Sequence, residues 1–121
     1  MDGQAGRDIL LGNEGKDILR GEGGDDRLVG GFGNDSLIGG KGRNIYVGEQ
    51  GQDTFGIEQG GLAIIQTYQD SRDRLQLLNG LKFSDLEVVQ RNDDVAIELN
   101  GKTLAVLNNS NAIQITGADF I

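Results

Sequence analysis

Six residues spaced nine apart carry the most ordered set of oxygen donors in the sequence: Asp8, Asp17, Asp26, Asp35, Asn44 and Asp53. Each lies two positions after a glycine (Gly6, Gly15, Gly24, Gly33, Gly42, Gly51) and five after another (Gly3, Gly12, Gly21, Gly30, Gly39, Gly48). Each also lies two before a large apolar residue, namely Leu10, Leu19, Leu28, Leu37, Tyr46 or Phe55. A lone aspartate after such a turn is ordinarily an Asx-turn or a cap. Five in phase with twelve glycines point instead to a cation. Two carboxylates about 5 Å apart repel by roughly 1 kcal/mol in water and about 3–4 at an effective dielectric of 20. A ladder of them therefore needs positive charge between its rungs. Hard oxygen donors with no nitrogen or sulfur ligand select calcium over a transition metal. Magnesium fits less well, because it demands a stricter octahedron and dehydrates reluctantly.

The repeat dictates the elements that hold these residues. From Gly3 the chain reads GQAGRDILL, GNEGKDILR, GEGGDDRLV, GGFGNDSLI, GGKGRNIYV and GEQGQDTFG, ending at Gly56. Columns one to six make a tight turn, for which the two glycines supply backbone angles that a side chain resists. Columns seven to nine make a three-residue strand whose column-eight side chain points inward. Strands this short must stack in register with the next coil. Two nonads complete an 18-residue coil, six make three coils, and the column-eight residues meet as a thin core between two short sheets. Stacking puts Asp8, Asp26 and Asn44 on one edge, and Asp17, Asp35 and Asp53 on the other. Columns seven and nine face outward, yet Ile9, Leu11, Ile18, Val29, Ile38, Ile45 and Val47 are apolar. Strand propensity accounts for this; the sharper reading is a surface covered by other chain or by a partner.

Composition narrows the function. The net charge of −8 disfavours nucleic acid and anionic membranes. With no cysteine there is neither disulfide nor thiolate site, and with no histidine the commonest general base is missing. No apolar run approaches membrane-spanning length, and no cleavable signal peptide follows Met1. Sixteen of the 21 glycines lie within residues 1–56. The expected division is therefore a roll over residues 1–56 and a capping β-segment over residues 57–121.

The blocks resemble the RTX nonapeptide, G-G-x-G-x-D-x-(large apolar)-x, of proteins exported by type I secretion. That resemblance implies an all-β, right-handed parallel β-roll with calcium between turns two repeats apart. The earlier repeat would give carbonyls of columns two and four plus its aspartate, and the later one carbonyls of columns one and three plus its aspartate. One implied site uses Gln4, Gly6, Asp8, Gly21, Gly23 and Asp26. A second uses Asn13, Gly15, Asp17, Gly30, Phe32 and Asp35, and a third Gly31, Gly33, Asp35, Gly48, Gln50 and Asp53. The fourth, from Glu22, Gly24, Asp26, Gly39, Lys41 and Asn44, loses a charge at Asn44 and meets an opposing one at Lys41, so it is expected to be weak or empty. Column two is glycine only at Gly31 and Gly40, a smaller departure.

Beyond Gly56 the pattern is ordinary strand: LAIIQTY, RLQLL, LEVVQ, DVAIEL and KTLAVL. Asn100-Gly101 reads as a type I′ hairpin turn setting Ile97 opposite Leu104 and Val95 opposite Val106. FSDLE has the spacing of a capping box, enough for one turn. A solenoid's last coil exposes a sheet edge and an open core, so this half reads as the cap. Its segments QDSRDRLQL and GLKFSDLEVVQ resemble the region after the nonads in cyanobacterial RTX proteins. The ending Asp119-Phe120-Ile121 is similar to the uncleaved type I export signal, and a plain terminal strand is the alternative. Asp70, Asp73, Asp93 and Asp94 could hold a further ion, though loop carboxylates are commonly just solvated. A phosphate loop is excluded, since no G-x-x-x-x-G-K-[ST] occurs.

The expected function is a secreted, calcium-binding module that folds on binding the ion and assists export of a parent protein through type I secretion machinery. The alternative is a calcium-rigidified module contacting a cell surface or polysaccharide. An enzyme is disfavoured, because every ordered carboxylate is assigned to metal.

Overall fold

A computed structural model describes residues 1–69, 72–110 and 114–121. Its strands are β1 (Ile9–Leu11), β2 (Ile18–Arg20), β3 (Arg27–Val29), β4 (Ser36–Ile38), β5 (Gly42–Val47) and β6 (Thr54–Ile57). They continue as β7 (Gly61–Ile65), β8 (Arg74–Leu77), β9 (Glu87–Arg91), β10 (Asp94–Leu99) and β11 (Lys102–Leu107). Successive strands of the roll alternate between two sheets, one ordered β1-β3-β5-β7-β11-β10-β9 and the other β2-β4-β6-β8. The fold is the all-β parallel β-roll that the nonad pattern requires.

Register follows the repeat. Ile9 pairs with Arg27 and Arg27 with Ile45 in one sheet; Ile18 pairs with Ser36 and Ser36 with Thr54 in the other. Column eight is buried throughout, from Leu10 at 6% exposure to Leu28, Leu37 and Phe55 at 0%. Columns seven and nine divide along the axis. At the first coil Ile9, Leu11 and Ile18 are exposed, whereas Val47, two coils later, is buried.

Parallel stacking does not stop where the nonads stop. β7 stacks on β5 with Ile45 opposite Ile64, and β8 on β6 with Thr54 opposite Arg74. These steps are one and two residues longer than the nonad pair. A fourth coil thus continues the three read from the repeat, and the change of composition at Gly56 is not a change of architecture. One core runs through both halves, joining Leu28, Leu37 and Tyr46 to Ile65, Leu75, Ile97 and Leu107.

The remaining strands close the ends of the fourth coil. β11 adds in parallel to β7, β10 pairs antiparallel with β11, and β9 lies outermost, its edge carrying Glu87, Gln90 and Arg91. Charged side chains on an outermost strand discourage edge-to-edge association. The hairpin turn is as read, with Asn100 and Gly101 at φ 51° and 81°, but the register is not. Val95 faces Leu107 and Ile97 faces Ala105, because Leu104 of β11 is an extra, bulged residue opposite the Ile97–Glu98 step. FSDLE forms one 3-10 turn, Phe83–Asp85, without the expected side-chain cap. A capping box occurs instead at Thr116 and Asp119, leading into Phe120, which bridges to Leu75 and covers the smaller sheet.

The two glycine columns turn out to have different reasons. Column four is left-handed, as at Gly24 (φ 97°), where a Cβ would lie 2.1 Å from the Gly6 carbonyl oxygen of the coil below. Column one is not left-handed. A Cβ at Gly21 would instead meet the Asp26 carboxylate at 2.4 Å. The turn's other left-handed position is column two, occupied by Gln4, Asn13, Glu22 and Glu49 at φ of 69–71°.

Candidate metal centre

Stacking converts column six into two continuous ladders. On one edge Asp8 N–H donates to Asp26 Oδ1 at 2.8 Å, and Asp26 N–H to Asn44 Oδ1 at 2.9 Å. On the other, Asp17 N–H donates to Asp35 Oδ1 and Asp35 N–H to Asp53 Oδ1, each at 2.9 Å. One oxygen of each later residue is thereby fixed against the coil beneath it.

The second oxygen has no such partner. Oδ2 of Asp8, Asp17, Asp26, Asp35 and Asp53 is buried and accepts no hydrogen bond among the described residues. Asp26 and Asp35 are each 2% exposed and Asp53 1%. A buried, unpaired carboxylate oxygen costs several kcal/mol, roughly, unless a cation or a proton meets it. Burial accordingly pushes the carboxyls of Asp26 and Asp35 above their ordinary value, against the N–H each accepts. For Asp53 the rise is from 3.8 to about 7; burial is the main cause, and the charges of Asp73, Asp35 and Glu49 add to it.

Backbone oxygens converge on the same places. A Cβ on Gly12 would lie 2.8 Å from Asp17 Oδ2 and 2.6 Å from the Gly30 carbonyl oxygen. A Cβ on Gly21 would lie 2.4 Å from Asp26 Oδ2 and 2.8 Å from the Gly39 carbonyl oxygen. An aspartate of one turn and the column-one carbonyl of the next thus share a pocket that only glycine leaves open. Column-two carbonyls are partly engaged already: those of Gln4, Asn13 and Glu22 accept N–H bonds from Gly23, Phe32 and Lys41 at 2.9–3.2 Å. Among the described residues no three acidic side chains converge. Neighbouring ladder aspartates and the backbone carbonyls of their turns make a donor set that suits calcium.

Asn44 provides an internal comparison. Its Nδ2 donates to the carbonyls of Gly40 at 3.2 Å and Lys41 at 3.5 Å. Where an amide can satisfy turn carbonyls, a carboxylate oxygen in the same place can only repel them. The five aspartates therefore fit a cation. The pair with Asn44 at one end still holds the unpaired Asp26 Oδ2, and Lys41 itself is exposed.

One ladder residue lies outside the nonads. Asp53 N–H donates to Asp73 Oδ1 at 2.9 Å, and Asp73 is fully buried. It was legible: Asp73-Arg74-Leu75 keeps the aspartate-x-apolar spacing of Asp53-Thr54-Phe55, obscured by the longer connection. Of the other loop carboxylates, Asp93 is exposed, Asp94 accepts the Asn109 N–H, and Asp70 lies outside the described residues.

Comparison with known proteins agrees with this geometry. The family model of the RTX calcium-binding nonapeptide repeat (four copies) matches residues 1–28 and 20–55. The fold is similar to that of the extracellular lipase LipA from Serratia marcescens, with TM-score 0.73 and 18% identity over 98% of this chain. This chain spans only 20% of the lipase. It is also similar to a subunit of the Azotobacter vinelandii mannuronan C5-epimerase, with TM-score 0.54 and 19% identity over 91% of this chain and 79% of that one. No curated protein sequence matches the chain. Residues 1–55 thus match the RTX calcium-binding nonapeptide repeat in sequence.

Proposed function

We propose that this chain is a calcium-gated folding module of a larger secreted protein. The observation that carries the reading is the row of five buried carboxylate oxygens without a donor among the described residues. In the first site Asp8 and Asp26 hold the ion with carbonyls of Gln4, Gly6, Gly21 and Gly23. Asp17 and Asp35 act likewise with Asn13, Gly15, Gly30 and Phe32, and Asp35 and Asp53 with Gly31, Gly33, Gly48 and Gln50. The pair Asp26 and Asn44 has one charge fewer and binds more weakly.

The energetics give the gate. Extracellular calcium modules have dissociation constants of about 10⁻⁴–10⁻³ M, far above free calcium inside a cell. There the carboxylates repel, the thin core is insufficient, and the repeats stay unfolded, a form suited to passage through a type I secretion channel. Outside, at a few millimolar calcium, a site with a constant near about 10⁻⁴ M adds roughly 2 kcal/mol. Three or four such sites add about 6–8 kcal/mol, comparable with the stability of a domain this size. Binding is then folding.

A calcium titration followed by far-UV circular dichroism and calorimetry tests this. The parent chain should pass from coil to strand at sub-millimolar to millimolar calcium. Asp35→Ala should lose two ions, because Asp35 is shared by two sites. A chain fully folded in chelator that binds no ion would overturn the reading and favour a passive scaffold for surface or polysaccharide contact.

A further inference from the structure

Two buried oxygens without donors lie on either side of Asp73, at the junction between the last nonad and the fourth coil. Asp53 has a buried, unpaired Oδ2, like the four aspartates before it. For those four the next residue on the ladder is a nonad residue; for Asp53 it is Asp73, 20 positions on, which takes the Asp53 N–H on its Oδ1 as the nonad residues do. The second orphan lies in the same turn. Gln69 Oε1 is buried without a hydrogen-bond partner among the described residues, while Gln69 N–H donates to Asp73 Oδ2 at 2.8 Å. The backbone bond thus ties Gln69 to the carboxylate. Two cations, Arg72 and Arg74, lie near Asp73; Arg74 Nη1 donates to the Asp73 carbonyl oxygen at 2.9 Å, and Asp53 Oδ2 stays without a donor.

We infer that a further divalent-cation site lies between Asp53 and Asp73, with Gln69 Oε1 as a neutral side-chain ligand, and that it takes calcium. It rests on the calcium reading of the nonads but goes past it, since two of its three side chains come from outside the matched repeats. The chemistry is the same, with two buried carboxylates supplying charge and neutral oxygens completing the shell. The consequence is mechanical. An ion here ties the last nonad to the fourth coil, on which the capping strands are built.

Native mass spectrometry and calorimetry in calcium, on the full chain, test the site. Asp73→Ala should bind one ion fewer than the parent. Gln69→Leu, which keeps Asp73 and its backbone bonds, should weaken one ion by roughly tenfold while leaving the others. An Asp73→Ala chain that folds and binds as many ions as the parent overturns the inference and leaves the nonad sites standing. If Asp73→Ala does not fold, Gln69→Leu decides, and unchanged affinity for every ion overturns the inference. A parent chain that binds no calcium overturns the underlying reading instead.

Discussion

Gly6 and Gly24 occupy the same column one coil apart, yet they are not equally replaceable. Both are left-handed, at φ 107° and 97°. A Cβ on Gly6 meets nothing within 4 Å, whereas one on Gly24 would lie 2.1 Å from backbone oxygen. Gly6→Ala should therefore cost only the backbone strain, about 1–2 kcal/mol. Gly24→Ala should prevent the first coil from stacking and abolish the ion between Asp8 and Asp26. Calorimetric ion counts and urea melts on both variants in saturating calcium check this, and equal effects would refute the steric account. The column itself was legible, because identical glycines recur at fixed spacing. The different reason for column one was not: the carboxylate that fills the space above Gly21 reaches it only once the turn is closed.

At the scale of elements, the capping hairpin depends on one buried charge. Glu98 sits beside the β-bulge, 6% exposed, and its Oε2 accepts Arg91 Nη2 at 2.6 Å, Arg91 Nε at 3.2 Å and Thr103 Oγ1 at 3.3 Å. Arg91→Ala would leave that carboxylate with the hydroxyl alone, at a cost of about 2 kcal/mol. The expected result is a lower melting temperature in saturating calcium with the number of bound ions unchanged. A lost ion would mean that the hairpin shapes the ladders directly. Strands β1 to β6 could be read from the nonads because period and function coincide there. The stacking of β7 and β8 could not, since connections longer by one and two residues break the period while leaving the column-eight positions, Ile65 and Leu75, in the same core. The hairpin register failed for a similar reason. Val95 to Glu98 are buried in succession, so alternation does not fix the pairing, and the bulge at Leu104 moves every pair beyond it.

For the whole molecule, protons and calcium compete for the same oxygens, so pH should act in opposite directions with and without the ion. Burial raises Asp53 from 3.8 to about 7, and raises Asp26, Asp35 and Asp73 in the same direction. Without calcium, the folded chain holds protons that the unfolded chain releases. For Asp53 that contribution to stability is fully present below about 3.8 and is lost as pH rises to about 7. With calcium the ion takes the proton's place, and binding strengthens as the carboxylates ionise over the same range. Far-UV circular dichroism should therefore show more strand at pH 5 than at pH 8 in calcium-free buffer, whereas urea melts in millimolar calcium should show greater stability at pH 8. Slopes of the same sign in both buffers would place the ion away from the ladders. The crossing of the two profiles is specific to carboxylates whose only other available partner is a proton, the condition that the five unpaired oxygens meet.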